Sequence, residues 1–204
     1  MRIIAGSAKG RNLATPAGVT RPTSDRTREG IFSALESEIG TCEGISFLDL
    51  YGGTGAVGLE ALSRGAAEVT VIEKDVKAAN VCRTNYELIA SVVSGKFSVL
   101  RMSVNSYLDS NPDSTPNSNP NSTPNSTLDE KSHFDVIYLD PPYEVPNSTI
   151  EKVLMKIFEK KILKPEGIAI VERSSRTTAF AWPEGFTPIK ERKYGEGTVY
   201  FASF

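Results

Sequence analysis

Apolar positions along the chain form two kinds of pattern, short continuous runs and longer helical stripes. The short runs, which predict buried β-strands, lie at residues 47–50, 69–72, 97–101, 134–139 and 168–171. The stripes, which predict amphipathic helices, lie at residues 57–64, 75–90 and 148–160. Strands that alternate with helices are typical of a parallel, doubly wound sheet. We therefore predict an α/β fold of the Rossmann-like kind.

Both ends of the chain depart from this alternation. Residues 2–5 and 11–14 predict a short β extension, and a capping signal at 23–25 then begins a helix with an apolar stripe. Near the other end, the β-prone runs 186–190 and 198–201 flank a turn and predict a hairpin. The expected sheet is therefore seven-stranded and mostly parallel, and it ends in an antiparallel pair.

Composition bounds the class of protein. With 204 residues and 39% hydrophobic content, the chain can bury one core, so we expect a single domain over 1–204. It has neither a long apolar span nor the apolar core of a signal peptide, which favours a soluble, cytoplasmic protein. Cys42 and Cys82 are isolated, and His133 is the only histidine. This predicts no zinc site and no histidine-based triad.

Residues 110–127 stand apart in composition. Every residue there except Asp113 is Asn, Ser, Thr or Pro. Such a tract buries too little apolar surface to offset its ordering entropy. We interpret it as a flexible insertion in the loop before the 134–139 strand.

Charge is concentrated at the N-terminus. Residues 1–30 contain six basic and two acidic residues, a net charge of +4, whereas the remaining residues carry −6. A basic arm, defined as residues 1–22, on a mildly acidic body favours a modest contact with nucleic acid. The candidate phosphate contacts are Arg2, Lys9, Arg11, Arg21, Arg26 and Arg28. Arg26 and Arg28 also begin a helix, so either could instead bind a carboxylate of a cofactor.

A glycine-rich loop follows the first core strand. The loop consists of Tyr51, Gly52, Gly53, Thr54 and Gly55, and the longer segment 53–58 matches the dinucleotide pattern. Asp49 would repel a pyrophosphate at the mouth of this loop, but it would attract an ammonium group. S-adenosylmethionine therefore fits better than NAD. Glu73 ends the next strand about 20 residues later, where an acid accepts the ribose hydroxyls.

A second loop joins an acid, two prolines and an aromatic ring at the end of the 134–139 strand. Its residues are Asp140, Pro141, Pro142 and Tyr143. The prolines fix φ and remove two backbone donors, so the loop presents acceptors. Such a surface suits a planar group that donates hydrogens, such as the exocyclic amine of a nucleobase. We predict that this loop holds the methyl acceptor.

These motifs resemble the RsmD-like bacterial 16S ribosomal RNA guanine-N2 methyltransferases nearly from end to end. The matching segments are 2–6, 9–11, 21–26, 28–29, 48–55, 58–66, Glu73, 140–143 and 194–195. The two loops are shared with many amino-methyltransferases, whereas the arm and the 63–66 helix end are specific to this family. The resemblance implies S-adenosylmethionine as cofactor and 16S rRNA as partner, in a small-subunit assembly particle, for a monomeric enzyme.

One departure from the family concerns the cofactor's adenine. An acid often follows the third core strand there, and this chain has Ser103 instead. We expect the adenine contacts to come from Ser103, Val104 and Asn105.

Three alternatives remain open on the sequence. An adenine-N6 or cytosine-N4 methyltransferase would use the same proline loop. An NAD-dependent oxidoreductase would satisfy the glycine pattern but would leave Asp49 and Asp140 unexplained. A nonenzymatic RNA-binding protein could keep the fold with a decayed site.

Overall fold

The computed structural model describes residues 1–15, 24–110, 134–176 and 180–204. Helices α1 to α5 span Asp25–Ile39, Ala56–Ser63, Val76–Ile89, Val104–Asp109 and Asn147–Glu159. Strands β1 to β7 span Ser46–Asp49, Glu68–Ile72, Lys96–Leu100, Phe134–Leu139, Leu163–Ser174, Thr187–Tyr194 and Gly197–Ser203. Within the described ranges, none of the helices has the length and apolar character needed to cross a bilayer.

The seven strands form one sheet in the order β3-β2-β1-β4-β5-β7-β6. The first five strands of that order are parallel, and β7 pairs antiparallel with both β5 and β6. This confirms the predicted mostly parallel sheet that ends in an antiparallel hairpin. The order reverses between β1 and β4, and in doubly wound sheets that switch point is where ligands bind.

Helices cover both faces of the sheet. On one face, α1 contributes Ile31, Phe32 and Leu35 to a core that it shares with α2 and α3. On the other face, α4 and α5 bury a second core that includes Leu108 and Leu154. The continuous apolar runs of the central strands follow from this arrangement, because each of those strands is buried on both sides.

The N-terminal segment does not form the predicted pair of strands. The two stretches meet in an isolated antiparallel bridge between Arg2 and Asn12, flanked by backbone hydrogen bonds such as that from the Ile3 amide to the Arg11 carbonyl at 3.0 Å. The segment also binds α2 through side chains of that helix. The buried Glu60 carboxylate accepts from the amides of Ile4 and Ala5, at 2.7 and 3.0 Å. The amides of Ile4 and Ala5 are therefore satisfied by a helix rather than by a partner strand.

Ser63, one turn along α2 from Glu60, extends this attachment. Its hydroxyl accepts from the Ala8 amide at 2.9 Å and donates to the Ala5 carbonyl at 2.6 Å. A Cβ at Gly6 would lie 1.8 Å from the Ser63 carbonyl oxygen. Glycine at this position therefore allows the segment to approach the helix closely.

Two further elements differ from the sequence prediction. Helix α4 was not predicted, because six residues are too few to show a helical period. Ser103 caps this helix by accepting from the Ser106 amide. Strand β5 is twelve residues long rather than four, because Leu163 pairs with Phe134 of β4 before the apolar run and the polar residues 172–174 pair with β7 after it. Arg21 and nearly all of the 110–127 tract lie outside the described residues.

Candidate active site

A cleft of about 840 Å³ opens at the carboxyl ends of the parallel strands. The loops that follow β1, β2 and β4 line it, and the β6–β7 turn closes one side. The cleft thus brings together most of the two predicted loops. Most of the predicted site residues of these loops, together with Asp49 and Glu73, line the cleft: Asp49, Tyr51, Gly52, Gly53, Thr54, Glu73, Asp140, Pro141, Pro142 and Tyr143.

The glycine loop is folded tightly against the strands. The Gly52 amide donates to the Ile72 carbonyl at 3.0 Å, and the Gly55 amide donates to the Gly52 carbonyl at 2.7 Å. A Cβ at Gly52 would lie 2.0 Å from Cγ1 of Val71. Gly55 does not line the cleft, contrary to its predicted contact with the cofactor. Its φ of +78° begins α2 and its backbone faces Cys82, so it shapes the loop from behind.

Glu73 lies opposite the glycine loop and ties it to the β2–α3 connection. One carboxylate oxygen accepts from the Gly53 amide at 2.8 Å, and the other accepts from the Asp75 amide at 2.7 Å. Each oxygen keeps a further lone pair. The carboxylate is therefore held in place while it can still accept hydrogen bonds from a pair of hydroxyls in the cleft.

Asp49 is the most deeply buried acid of the cleft. It is 1% exposed, and within the described part of the chain its Oδ1 atom has no hydrogen-bond partner. Burial raises its pKa to about 7, and the amides of Gly58 and Tyr51 partly oppose that rise. A buried carboxylate oxygen without a donor is costly. A cationic ligand in the cleft would remove that cost.

The Asp-Pro-Pro-Tyr loop forms the wall beside β4. Pro141 is buried, whereas Tyr143 is 45% exposed. The buried Arg173 holds the next part of the loop by donating to the carbonyl of Val145 and to Oδ1 of Asn147. Burial lowers the pKa of Arg173, and the charge of Asp140 opposes that shift. A buried cation thus lies near the acid of the loop.

The adenine-contact residues are only partly brought into the cleft. Ser103 and Val104 line it. The Ser103 hydroxyl already caps α4, at 3.0 Å from the Ser106 amide. Asn105 is exposed on α4 and does not line the cleft, so the structure does not bring it together with the other two.

The predicted phosphate contacts fall into three groups. Arg2, Lys9 and Arg11 are exposed and do not line the cleft. Arg26 is exposed and lines the cleft. The prediction is wrong for Arg28, which is fully buried and paired with Asp25 at 2.8 Å. A guanidinium that also holds the Arg2 carbonyl is part of the core and cannot reach a phosphate.

Sequence reasoning missed the floor of the cleft, which Tyr138 and Glu172 form. Both are buried, and the Tyr138 hydroxyl donates to Glu172 at 2.7 Å. The sequence contains a signal for Glu172, because Glu172 and Arg173 are polar residues that directly follow the apolar run 168–171. The same position after β4 was recognised at Asp140.

These groups fit S-adenosylmethionine. Asp49 would supply a carboxylate for an ammonium, Glu73 would accept from a ribose diol, and Val104 would offer an apolar surface to the adenine. Arg26, which also lines the cleft, would bind the methionyl carboxylate. The cleft thus supplies a chemical match for each polar end of that cofactor.

Sequence comparison identifies the relatives of this chain. The family model described as conserved hypothetical protein 95 matches residues 1–203. Ribosomal RNA small subunit methyltransferase D of Haemophilus influenzae is 32% identical over 196 residues, which cover 96% of this chain and 89% of that protein. The Escherichia coli K12 protein of the same name is 28% identical, with coverage of 96% and 86%.

Solved structures share the fold. A candidate methyltransferase from Escherichia coli, yhhF, superposes with a TM-score of 0.78 at 26% identity, over 100% of this chain and 97% of that chain. Magnesium protoporphyrin IX methyltransferase from Synechocystis, solved with bound S-adenosylmethionine, has a TM-score of 0.60 at 11% identity, over 87% and 78%. The second likeness shows the fold alone. From its sequence and its fold, the chain belongs to the conserved hypothetical protein 95 family, the RsmD family of small-subunit ribosomal RNA methyltransferases.

Proposed function

We propose that this protein methylates the exocyclic N2 amine of a guanine in 16S rRNA, within an assembling small subunit. Its relatives are rRNA methyltransferases, and S-adenosylmethionine is the cofactor of this fold. The choice of guanine, of its N2 atom and of an assembling subunit as substrate belongs to the proposal. The observation that carries it is that Asp140 and its prolines line the same cleft as the cofactor loop.

The amine is a weak nucleophile, because its lone pair is delocalised into the guanine ring. Asp140 and a backbone carbonyl of the proline loop would accept its two hydrogens. The nitrogen could then pyramidalise and direct its lone pair into the cleft. When bound, S-adenosylmethionine supplies an electrophilic methyl group. Catalysis by these residues is then mainly positioning and electrostatic stabilisation.

No strong base is needed for the second half of the reaction. The nitrogen gains a carbon bond and becomes acidic, so its extra proton can pass to Asp140 or to solvent. This accounts for an enzyme whose sequence holds a single histidine.

Tyr143 is placed to hold the base. Its ring is 45% exposed at the rim of the cleft, and stacking of a base on an aromatic ring is worth about 1–3 kcal/mol. Entry into the cleft requires an unpaired or extruded nucleotide, which RNA loops provide.

The test of the proposal is Asp140→Ala. We expect the variant to lose methyl transfer to small-subunit particles from cells that lack the protein. Its affinity for S-adenosylmethionine should stay within about tenfold, or roughly 1.4 kcal/mol. Nucleoside mass spectrometry identifies the methylated base, and calorimetry gives the cofactor affinity.

A suitable matched control is Asp109→Ala. Asp109 is an exposed acid outside the cleft whose ion pair with Lys156 lies on the surface, and such pairs contribute little. It should behave like the parent. Full activity in Asp140→Ala, or N6-methyladenosine as the parent's product, would contradict the proposal.

A further inference from the structure

Glu172 is a buried acid that the mechanism above does not use. It is 6% exposed, lies near the carboxyl end of β5 and lines the floor of the cleft. A free charge at such a depth is costly unless a ligand or a neighbour compensates it. Glu172 is therefore a candidate residue for binding a ligand in the cleft.

The neighbours of Glu172 fix the position of its carboxylate. The Tyr138 hydroxyl holds one oxygen at 2.7 Å. The other oxygen lies 3.0 Å from the position that a Cβ at Gly197 would occupy. The absence of a side chain at Gly197 thus leaves space for the acid, and the β6–β7 turn covers it.

Glu172 is also adjacent to Asp140. In the parallel pairing of β4 with β5, Leu139 is opposite Val171, so the next residues along the two strands are Asp140 and Glu172. Burial raises the pKa of the Tyr138 hydroxyl, and the charges of Glu172 and Asp140, which lie near it, raise that pKa further. The cleft thus presents two neighbouring carboxylates.

Two neighbouring acceptors distinguish guanine from the other amine-bearing bases. The pairing edge of guanine places the N1–H donor directly beside the N2 amine. The pairing edges of adenine and cytosine place a ring nitrogen with a lone pair beside the amine. A carboxylate at that position therefore attracts guanine and repels adenine and cytosine.

We propose that Glu172 is a specificity-determining residue that accepts the N1–H hydrogen of the target guanine while Asp140 engages the N2 amine. The proposal rests on guanine-N2 methylation as the function. It also excludes adenine-N6 and cytosine-N4 transfer by this cleft. The hydrogen bond from Tyr138 fixes the position of the Glu172 carboxylate at the floor of the cleft.

The experiment compares two acceptors, small-subunit particles reconstituted with guanine or with 2-aminopurine at the methylated position. 2-Aminopurine keeps the N2 amine, but its N1 is an acceptor. We expect the parent to prefer guanine by at least about 100-fold in kcat/KM, because a site built around a hydrogen bond rejects an analogue that lacks it. In Glu172→Gln the amide can donate to N1, so the preference should fall by about tenfold or more.

Glu191→Gln is the matched control, because Glu191 is an exposed acid of β6 outside the cleft. It should keep the parent's preference. A parent that methylates 2-aminopurine as well as guanine overturns the proposal without any variant. An unchanged preference in a folded Glu172→Gln also overturns it, while guanine-N2 methylation itself stands. A parent that forms no N2-methylguanine would instead overturn the proposed function, and the role of Glu172 with it.

Discussion

At the residue scale, the site depends on acids whose burial lowers the stability of the folded protein. Asp49 is buried beneath the glycine loop, and its Oδ1 atom has no donor within the described residues. Its raised pKa of about 7 records that cost. We interpret the cost as preparation for a cationic ligand, since the ammonium of the cofactor would supply the missing donor. Ionised Asp49 then favours binding of the cofactor but lowers the stability of the free protein.

This opposition predicts how stability depends on pH. The pKa of Asp49 is about 7 in the folded protein and about 3.8 ordinarily. Between those values the folded state holds a proton that the unfolded chain has released. The stabilisation is thus complete below pH 3.8 and is lost as pH rises through about 7. Asp49→Asn should reduce this loss, which is at most about 1.4 kcal/mol per pH unit, in urea unfolding.

Cofactor affinity provides the second readout for Asp49. The ionised form attracts the ammonium, so the parent should bind S-adenosylmethionine more tightly as pH rises through about 7. Asp49→Asn should bind weakly, with less dependence on pH. If the parent and the variant have parallel profiles for both stability and binding, Asp49 does not titrate as described.

At the element scale, α2 joins the N-terminal segment to the cofactor loop. Its first residues follow the glycine loop, and its buried Glu60 and Ser63 hold the segment 4–8. The Arg64 guanidinium donates to Glu60 at 2.9 Å and also pairs with Glu36 of α1. This network gives the end of α2 a structural role, because its side chains hold residues 4–8 against the helix.

The docking predicts that Gly6→Ala is strongly destabilising. A Cβ there would lie 1.8 Å from the Ser63 carbonyl, and φ is +79°. We expect a loss of about 3 kcal/mol or more, as for overpacking added to backbone strain. Gly10→Ala is the control, because φ is +83° but no atom lies within 4 Å. Its loss should be only about 1 kcal/mol, and equal losses in urea unfolding would refute close packing as the cause.

The elements also show what the sequence could predict. Strands β1, β2 and β4 were predicted closely, because burial on both faces produces continuous apolar runs. The predicted N-terminal β extension is shorter than expected, because the sequence does not reveal that Glu60 binds the amides of Ile4 and Ala5. Asp140 was recognised through its prolines. Glu172 was missed because its role depends on register with β4 and on Gly197, which only the folded sheet brings near.

At the scale of the whole molecule, the basic side chains of the N-terminal segment lie outside the acidic cleft. Arg2, Lys9 and Arg11 lie on the N-terminal segment, while the acids converge on the cleft. Arg2 is 66% exposed despite its ion pair with Asp25 at 3.4 Å. A basic surface outside an acidic cleft suits a nucleic acid whose phosphates bind to that surface while one base enters the cleft.

Neutralising Lys9 and Arg11 together should therefore weaken binding to 16S rRNA. The dependence of affinity on salt should fall by roughly 0.7–0.9 of a slope unit for each phosphate that the variant no longer neutralises. Cofactor affinity should change little, because neither residue lines the cleft. Filter binding over a salt series gives the slope. A variant with an unchanged slope but weaker cofactor binding would mean that the segment supports the cofactor site instead.

We propose that this protein places one N2-methyl group on a guanine of 16S rRNA through Asp140. Mass mapping of methylated guanines in 16S rRNA from cells that lack the protein tests this proposal. We predict that one N2-methylguanine is absent, that the parent gene restores it and that the Asp140→Ala gene does not. An unchanged guanine map, or restoration by the Asp140→Ala gene, would contradict the claim.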